Sequence, residues 1–562
     1  MKTRMLTLGV LAAAGCATIL PEAFQPRPRG IQSLELRAHI AELGSDRYEG
    51  RGPGTPGEEL TVRYLSTQFQ SLGLQPGNPD GTWVQEVPMV GIFSKPSVAF
   101  VRGETRMQLD CPGECVAFSR RFTPDIDVKA DEVLFVGYGV DAPEYGWDDY
   151  KGVDVRGKVI VMLVNDPPVA DSHDPSRLDE RVFEGKAMTY FGRWTYKYEI
   201  AARKQAAAVL LVHEEGPAGY PFGVVQSSWT HENFDLADAG GNVRRAPVEG
   251  WLRQDKAKEL FSAGGLDFEE LKRQAATREF KPVAFKELRA ELRVHNDMRE
   301  IRSRNVVARL PGSDPLRKDE YVVYTAHWDH LGRDDSLPND KIYNGAVDNA
   351  SGVAGLLEIA AAFRDPALAP PPRSVLFLAT TAEEKGLLGA RWYAEHPLYP
   401  LEKTLCDINM DSLNPFGRTR DLISVGLGRT TIDAQLEDLL HRHGRVLRGD
   451  SEPEKGYYYR SDHFEFARAG VPAVYADGGV DLIGAPSGEG KRLWTLYTRE
   501  RYHKPGDELR DEWDLAGAVE DVELLYELGR TIATEDAWPA WKPGSEFRAT
   551  RLAQLAGGAR AK

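Results

Sequence analysis

Four short apolar runs punctuate the second half of the chain: residues 321–326 (YVVYTA), 374–380 (SVLFLAT), 405–410 (LCDINM) and 471–475 (VPAVY). Continuous runs of this length suit strands buried on both faces of a mainly parallel sheet. Helical patterns separate them, over 351–363 and 386–396, with Ser351 placed as an N-cap. The alternation predicts an open α/β sheet flanked by helices, a layout in which ligands bind beyond the carboxyl ends of the strands. A further helix is predicted over 515–533, capped by Asp514, with Val519, Val522, Leu525, Leu528 and Ile532 on one side.

The first half reads differently. Residues 45–57 (SDRYEGRGPGTPG) are turn-rich, and 58–72 carry Val62, Leu65, Phe69 and Leu72 at near-helical spacing before Gly73 ends the helix. Strands are expected over 82–87 and 96–102. Residues 132–140 (EVLFVGYGV), 157–164 (GKVIVMLV) and 209–212 read as strands, with a helix over 200–208. Trp194, Tyr196 and Tyr198 alternate as strand or loop positions, for packing or for lining a substrate. This layout divides the chain into a catalytic domain (30–125 and 291–540) interrupted by a β-rich unit over 126–290. The tail, 541–562, is expected to be loosely held.

Composition narrows the setting. The chain has 562 residues, 42% of them hydrophobic, enough for sizeable cores in two or three domains. A net charge of −15 without a long basic run argues against a nucleic-acid partner. Met1-Lys2-Thr3-Arg4 followed by a short apolar stretch to Ala14 reads as an export signal, too short for a membrane span, with residues 21–30 as a tether. Ala13-Ala14-Gly15-Cys16 approximates a lipoprotein cleavage box, so a lipid anchor at Cys16 and simple cleavage are alternatives. The protein is expected in the periplasm or outside the cell, as a free protein or as an outer-membrane or surface lipoprotein. Cys111 and Cys115 can close a small disulfide loop in such a compartment, and Cys406 reads as a core thiol.

The candidate chemistry sits where the strands end. His327 and Asp329 follow the first run, Glu383 and Glu384 the second, and Asp411 the third, while Asp348 precedes the helix at 351 and His503 lies further on. Imidazole with hard carboxylates suits zinc, and a catalytic zinc takes three protein ligands and leaves a position for water. Five ligands are too many for one ion and suit two that share a carboxylate. His330, beside Asp329, reads as a bystander. His463 and the run Tyr457-Tyr458-Tyr459 read as substrate contacts or as packing.

Taken together, HxD at 327–329, VDNASG at 347–352, the Glu pair, NMDS at 409–412 and YHKPGDE at 502–508 resemble the M28 family of di-zinc peptidases. The resemblance implies that Asp348 bridges two Zn2+ ions, one completed by His327 and Asp411, the other by Glu384 and His503. It makes Glu383 the general base and Asp329 the residue that orients His327. It identifies 126–290 as similar to the protease-associated (PA) domain that some members carry. The implied activity is an aminopeptidase acting on peptides with a free N-terminus. A carboxypeptidase-like or glutaminyl-cyclase-like member, or a non-catalytic receptor-like relative, are the alternatives.

Overall fold

A computed structural model describes residues 30–560. The expected export signal, the tether and Cys16 lie outside the described residues.

The apolar runs become the middle of a large mixed sheet. Tyr321–His327 lies between Ser374–Thr380 and Thr404–Asn409, parallel to both, and Ala473–Gly478 follows in parallel. Each of the first three is buried along its whole length, which explains the absence of polar alternation. Antiparallel strands extend both sides, with Arg289–Leu310 against Ser374–Thr380 and Asp421–Val425 against Ala473–Gly478. The fold is thus mixed α/β, with the parallel part at its centre. Helices cover this sheet. Gly352–Phe363 is buried at every position and packs with Ser33–Leu43, Pro56–Ser71 and Ala516–Thr534 around Val322, Tyr324, Phe377 and Ile408. Residues 346–363 are long and apolar enough to cross a membrane, but all of that stretch is buried in this core.

Two long strands join this sheet to a second unit. Val84–Arg102 and Arg289–Leu310 pair antiparallel from Val84↔Val306 to Val101↔Arg289. The sequence predicts two separate strands here, over 82–87 and 96–102. Both are absorbed by continuous pairing. Beyond the ribbon lies a six-stranded sheet that includes Val133–Phe135, Val159–Leu163, Ala208–His213 and Val248–Arg253. One edge strand is Cys115–Phe118, and Asn233–Leu236 crosses back to pair with Val84–Arg102. The boundary expected at residue 126 therefore cuts through the inserted sheet: that unit takes a strand from before it and lends one to the main sheet. Cys111 and Cys115 are disulfide-bonded, and Cys406 is a buried free thiol.

Two local expectations are corrected. Trp194, Tyr196 and Tyr198 lie on a helix, Trp194–Arg203, and not on a strand or loop. The alternation misleads because even Lys197 is buried there, donating to the carbonyls of Tyr138 (2.6 Å) and Asn165 (3.1 Å). The tail is also held. Trp541 and Phe547 are buried with Tyr458, Phe464 and Ala473, and Arg551 donates to the carbonyls of Leu401 and Thr404.

Candidate metal centre

The ends of three neighbouring strands converge on one carboxylate. Asp348 lies 3.3 Å through Oδ1 from His327 Nε2 and 3.2 Å through Oδ2 from His503 Nε2. Asp411 Oδ1 completes the first side, 3.2 Å from His327 Nε2. Glu384 Oε2 completes the second, 3.1 Å from His503 Nε2. The five predicted ligands thus come together, in two groups that share Asp348. Donor atoms of His327, Asp348 and Asp411 all lie within 4.8 Å of one another, as do those of His330, Asp348 and Glu384. Buried imidazoles and carboxylates facing one another at this range, with one carboxylate presenting a different oxygen to each side, fit a pair of divalent cations.

The electrostatics follow from burying four carboxylates and three imidazoles together. Burial alone would lower the pKa of His327, but Glu383 and Asp411 hold it well above the usual range. His503 is likewise raised, to about 10, by Glu384 and Asp348 against the effect of burial. Burial opposes ionisation of Glu384, yet the His503 and His330 imidazoles hold its pKa down, at about 2. Glu383 is the exception. Burial, reinforced by Asp411 and Glu384, pushes its pKa well up, so this carboxyl has the strongest affinity for a proton of the pair.

Backbone geometry holds the side chains apart from their neighbours. Ala382, Ser412 and His503 adopt φ of 53°, 69° and 57°, in the left-handed region that non-glycine residues avoid. Each stands at a predicted ligand or within two residues of one, where such strain is kept when it aims a side chain. Asn349 ties two ligand segments: its Nδ2 donates to Met410 O (3.0 Å) and its Oδ1 accepts from Ser412 N (3.1 Å). Asp507 does the same for the His503 loop, accepting the N–H of Val347 and of Asp348, both at 3.1 Å.

The most extensive tie is Arg51. It lies in the turn-rich segment near the start, is fully buried, and donates to the carbonyls of Trp328 (2.8 Å), Leu43 (2.7 Å), Asn344 (2.6 Å) and Gly345 (2.9 Å). Trp328 follows one ligand and Gly345 precedes another. Burial lowers the guanidinium's pKa to about 10, against the pull of Asp348, Asp507, Asp329 and Glu384. Sequence reasoning missed Arg51, Asn349 and Asp507. The last two lie inside quoted motifs, but nothing in the sequence says that they bind backbone.

Two further residues, Asp329 and His330, differ from expectation. Asp329 meets His327 Nδ1 through its main-chain carbonyl, at 3.1 Å, while its carboxylate stands 3.8 Å away and accepts the N–H of Glu383 at 3.0 Å. Burial raises that carboxyl to about 7. His330 is no bystander: its Nδ1 lies 2.6 Å from Glu384 Oε1, because the chain turns inward directly after Asp329. The tyrosine run is engaged elsewhere. Arg429 lies over the Tyr458 ring at 4.6 Å, Tyr459 donates to Glu546 at 2.9 Å, and Arg460 covers Tyr457 at 5.0 Å. His463 is fully buried between Tyr458 and Tyr475, and burial lowers its pKa to about 3. The tyrosine hydroxyl that reaches a ligand is that of Tyr475, donating to Asp411 O at 3.3 Å. Tyr502 stacks on His503 at 3.9 Å and is 42% exposed at the rim.

The inserted unit borders this centre on two sides. Tyr190 packs on Tyr459 and Phe464, and Glu184 pairs with Arg429 at 3.0 Å. On the other side, His231 meets Asp334 at 3.6 Å, and Lys385, next to Glu384, lies over Phe234 at 5.9 Å.

Comparison with known proteins places the same segment in a family. An aminopeptidase NAALADL1 of Mus musculus is 34% identical over 122 residues, 21% of this chain and 15% of that protein. A glutamate carboxypeptidase 2 homolog of Caenorhabditis elegans is 32% identical over 126 residues, 22% of this chain and 15% of that protein. The matched stretch thus spans 15% of the length of these relatives. Among solved structures, an aminopeptidase from Aneurinibacillus sp. strain AM-1 aligns over 91% of this chain and 96% of its own, with 18% identity and a TM-score of 0.48. The LapA aminopeptidase of Legionella pneumophila aligns over 42% and 56%, with 18% identity and a TM-score of 0.31. Residues 305–526 match the sequence model of peptidase family M28, and they contain all five predicted ligands, the Glu pair and Asp507. The family match thus falls on the segment that carries the candidate metal centre.

Proposed function

We propose that the protein is an exported di-zinc exopeptidase that releases N-terminal residues from peptides, with Glu383 as the general base. The observation that carries this reading is the placement of Asp348, whose two oxygens address His327 on one side and His503 on the other. His327, Asp348 and Asp411 would hold one zinc, and Asp348, Glu384 and His503 the other. Zinc bound there supplies Lewis-acid polarisation of a carbonyl and acidifies water near pH 7.

The chain's own residues do the rest. Glu383 Oε2 lies 4.0 Å from His327 Nε2, so its carboxylate borders the first ligand group without belonging to it. Its raised proton affinity suits a group that takes a proton from water and passes it to a departing amine, a role worth roughly 10² to 10⁴ in rate. The Asp329 carboxylate fixes the N–H of Glu383, and the Asp329 carbonyl fixes the ring of His327. His330 steadies Glu384. The named relatives are an aminopeptidase and a carboxypeptidase homolog, which supports exopeptidase action and leaves the choice of terminus to the assay.

The test is hydrolysis of a peptide panel with free or acetylated N-termini and free or amidated C-termini, in zinc and in chelator. Cleavage confined to free N-termini, lost with chelator and reduced at least 100-fold in Glu383→Gln, is the expected result. Equal cleavage of acetylated peptides refutes the aminopeptidase assignment. Full activity of Glu383→Gln refutes the role of the base.

A further inference from the structure

The turn that carries Glu383 and Glu384 is bracketed by two strained residues. Ala382 and Leu387 adopt φ of 53° and 60°, in the left-handed region. Residues other than glycine stay there only where the surrounding structure over-determines them. The neck of the turn is closed from within the catalytic unit. Asn305 accepts the N–H of Thr381 at 3.0 Å and donates to Gly389 O at 2.9 Å, and Leu388 N donates to Ala382 O at 3.0 Å. The two glutamates are not held alike. Glu384 is anchored by His330 and His503, whereas among the described residues the Glu383 carboxylate has only His327, at 4.0 Å. The aim of Glu383 therefore depends on the backbone that bears it.

The flank of the turn is supplied by the inserted unit. Ala382, fully buried, and Leu388 share one small core with Val87 and Ile301 of the antiparallel ribbon and with Phe234 and Leu236 of the cross-strand Asn233–Leu236. Lys385, next to Glu384, lies over the Phe234 ring at 5.9 Å. The helix that follows the turn, Leu388–Glu395, packs on the same cross-strand. Charge ties it there as well. Arg391 Nη1 lies 3.6 Å from Asp235 Oδ1, while the second oxygen of Asp235 meets Arg245 at 2.8 Å and Asn242 Nδ2 at 3.0 Å. Arg245 and Asn242 belong to the inserted unit, so one buried carboxylate joins the two units through the helix that follows the turn.

We propose that Phe234 and Asp235 are positioning residues for Glu383, so that the inserted unit holds the general base in place. The proposal rests on the peptidase reading above, with Glu383 as the base. A reacting group misplaced by about 1 Å through a distant substitution can lose about 10²-fold in rate. The variants are Phe234→Ala and Arg391→Met, the second cutting the tie to Asp235 while leaving Arg245 its partner. Each is made in the zinc-loaded full chain and again in the chain carrying Glu383→Gln, with the best-cleaved peptide of the panel as substrate. The expected result is a kcat at least tenfold below the parent's, with KM and zinc content within twofold of it. In the Glu383→Gln background the same substitutions should lower the remaining rate less than twofold, because no base is left to misplace. Phe234→Leu and Arg391→Lys, which keep most of the volume and the charge, should stay within threefold of the parent. Glu395→Gln, which removes the other partner of Arg391, should stay within twofold. If Phe234→Ala fails to fold, Arg391→Met alone decides. A parent-like kcat in the variants overturns the proposal, as does an equal loss in both backgrounds, which marks a general structural effect. A loss of zinc that tracks the loss of rate also overturns it, because the effect then falls on Glu384. In each of these cases the peptidase reading stands if Glu383→Gln alone is at least 100-fold slower than the parent. A parent that cleaves no peptide overturns both.

Discussion

Arg51 offers the sharpest test of how the centre is held. Its three side-chain nitrogens donate to four buried carbonyls, two of which adjoin ligand-bearing segments. A lysine at this position has one nitrogen and reaches one direction, so Arg51→Lys removes at least two of these bonds. At about 1.5–3 kcal/mol for each hydrogen bond to a charged donor, the loss is about 3–6 kcal/mol. The carbonyls of Asn344 and Gly345 would then be buried without partners, and the loop that carries Asp348 would relax. Removing an outer partner of a metal ligand typically lowers metal affinity 10–100-fold. Urea denaturation of the metal-free protein reads the first effect, and competition for zinc with a chromogenic chelator reads the second. A variant within about 0.5 kcal/mol of the parent, binding zinc within twofold of it, refutes the positioning role.

Other substitutions probe separate links. Asp348→Ala should abolish binding of both zinc ions, while His503→Ala should retain one, as measured by elemental analysis after dialysis. Trp541→Ala should cost about 3–5 kcal/mol in urea denaturation, since the indole is buried and donates to Gly470 O. His463 titrates near 3 in the native state and near 6.5 when unfolded, so below pH 6.5 the unfolded chain takes up a proton that the native chain refuses. Stability therefore falls as pH drops from about 6.5 toward 3. In His463→Asn the loss between pH 7 and pH 5 should be smaller by about 2 kcal/mol, a difference that urea titrations at the two pH values resolve.

The convergence of the five candidate ligands was readable because each of them sits at the end of an apolar run or within a short motif, so local spacing carried the information. His327, Glu384 and Asp411 are placed by strands buried along their length, which leave a plain hydrophobic signature. What escaped is what depends on distant backbone. Arg51 looks like one more charge in a loop, and its carbonyl partners Trp328 and Gly345 lie 277 and 294 residues away. Carbonyl acceptors carry no residue identity, so no pattern announces them. The same reasoning covers the tail, where Arg551 is held by the carbonyls of Leu401 and Thr404. The tyrosine run left substrate contact and packing open, because proximity in sequence to His463 does not fix which way a ring points, and the rings of Tyr458 and Tyr459 pack. Tyr475, on the neighbouring strand, donates instead to the main-chain carbonyl of Asp411.

The antiparallel ribbon has a mechanical consequence. Val84–Arg102 and Arg289–Leu310 stay paired over a length of about 60 Å, so both crossings between the two units are made by one laddered spine and not by two slack connections. Pivoting about a flexible joint is closed to such a molecule. Relative motion of the two units would have to come from flexing of the ribbon or from local yielding of Asn233–Leu236, the short cross-strand that fastens the inserted unit to the main sheet.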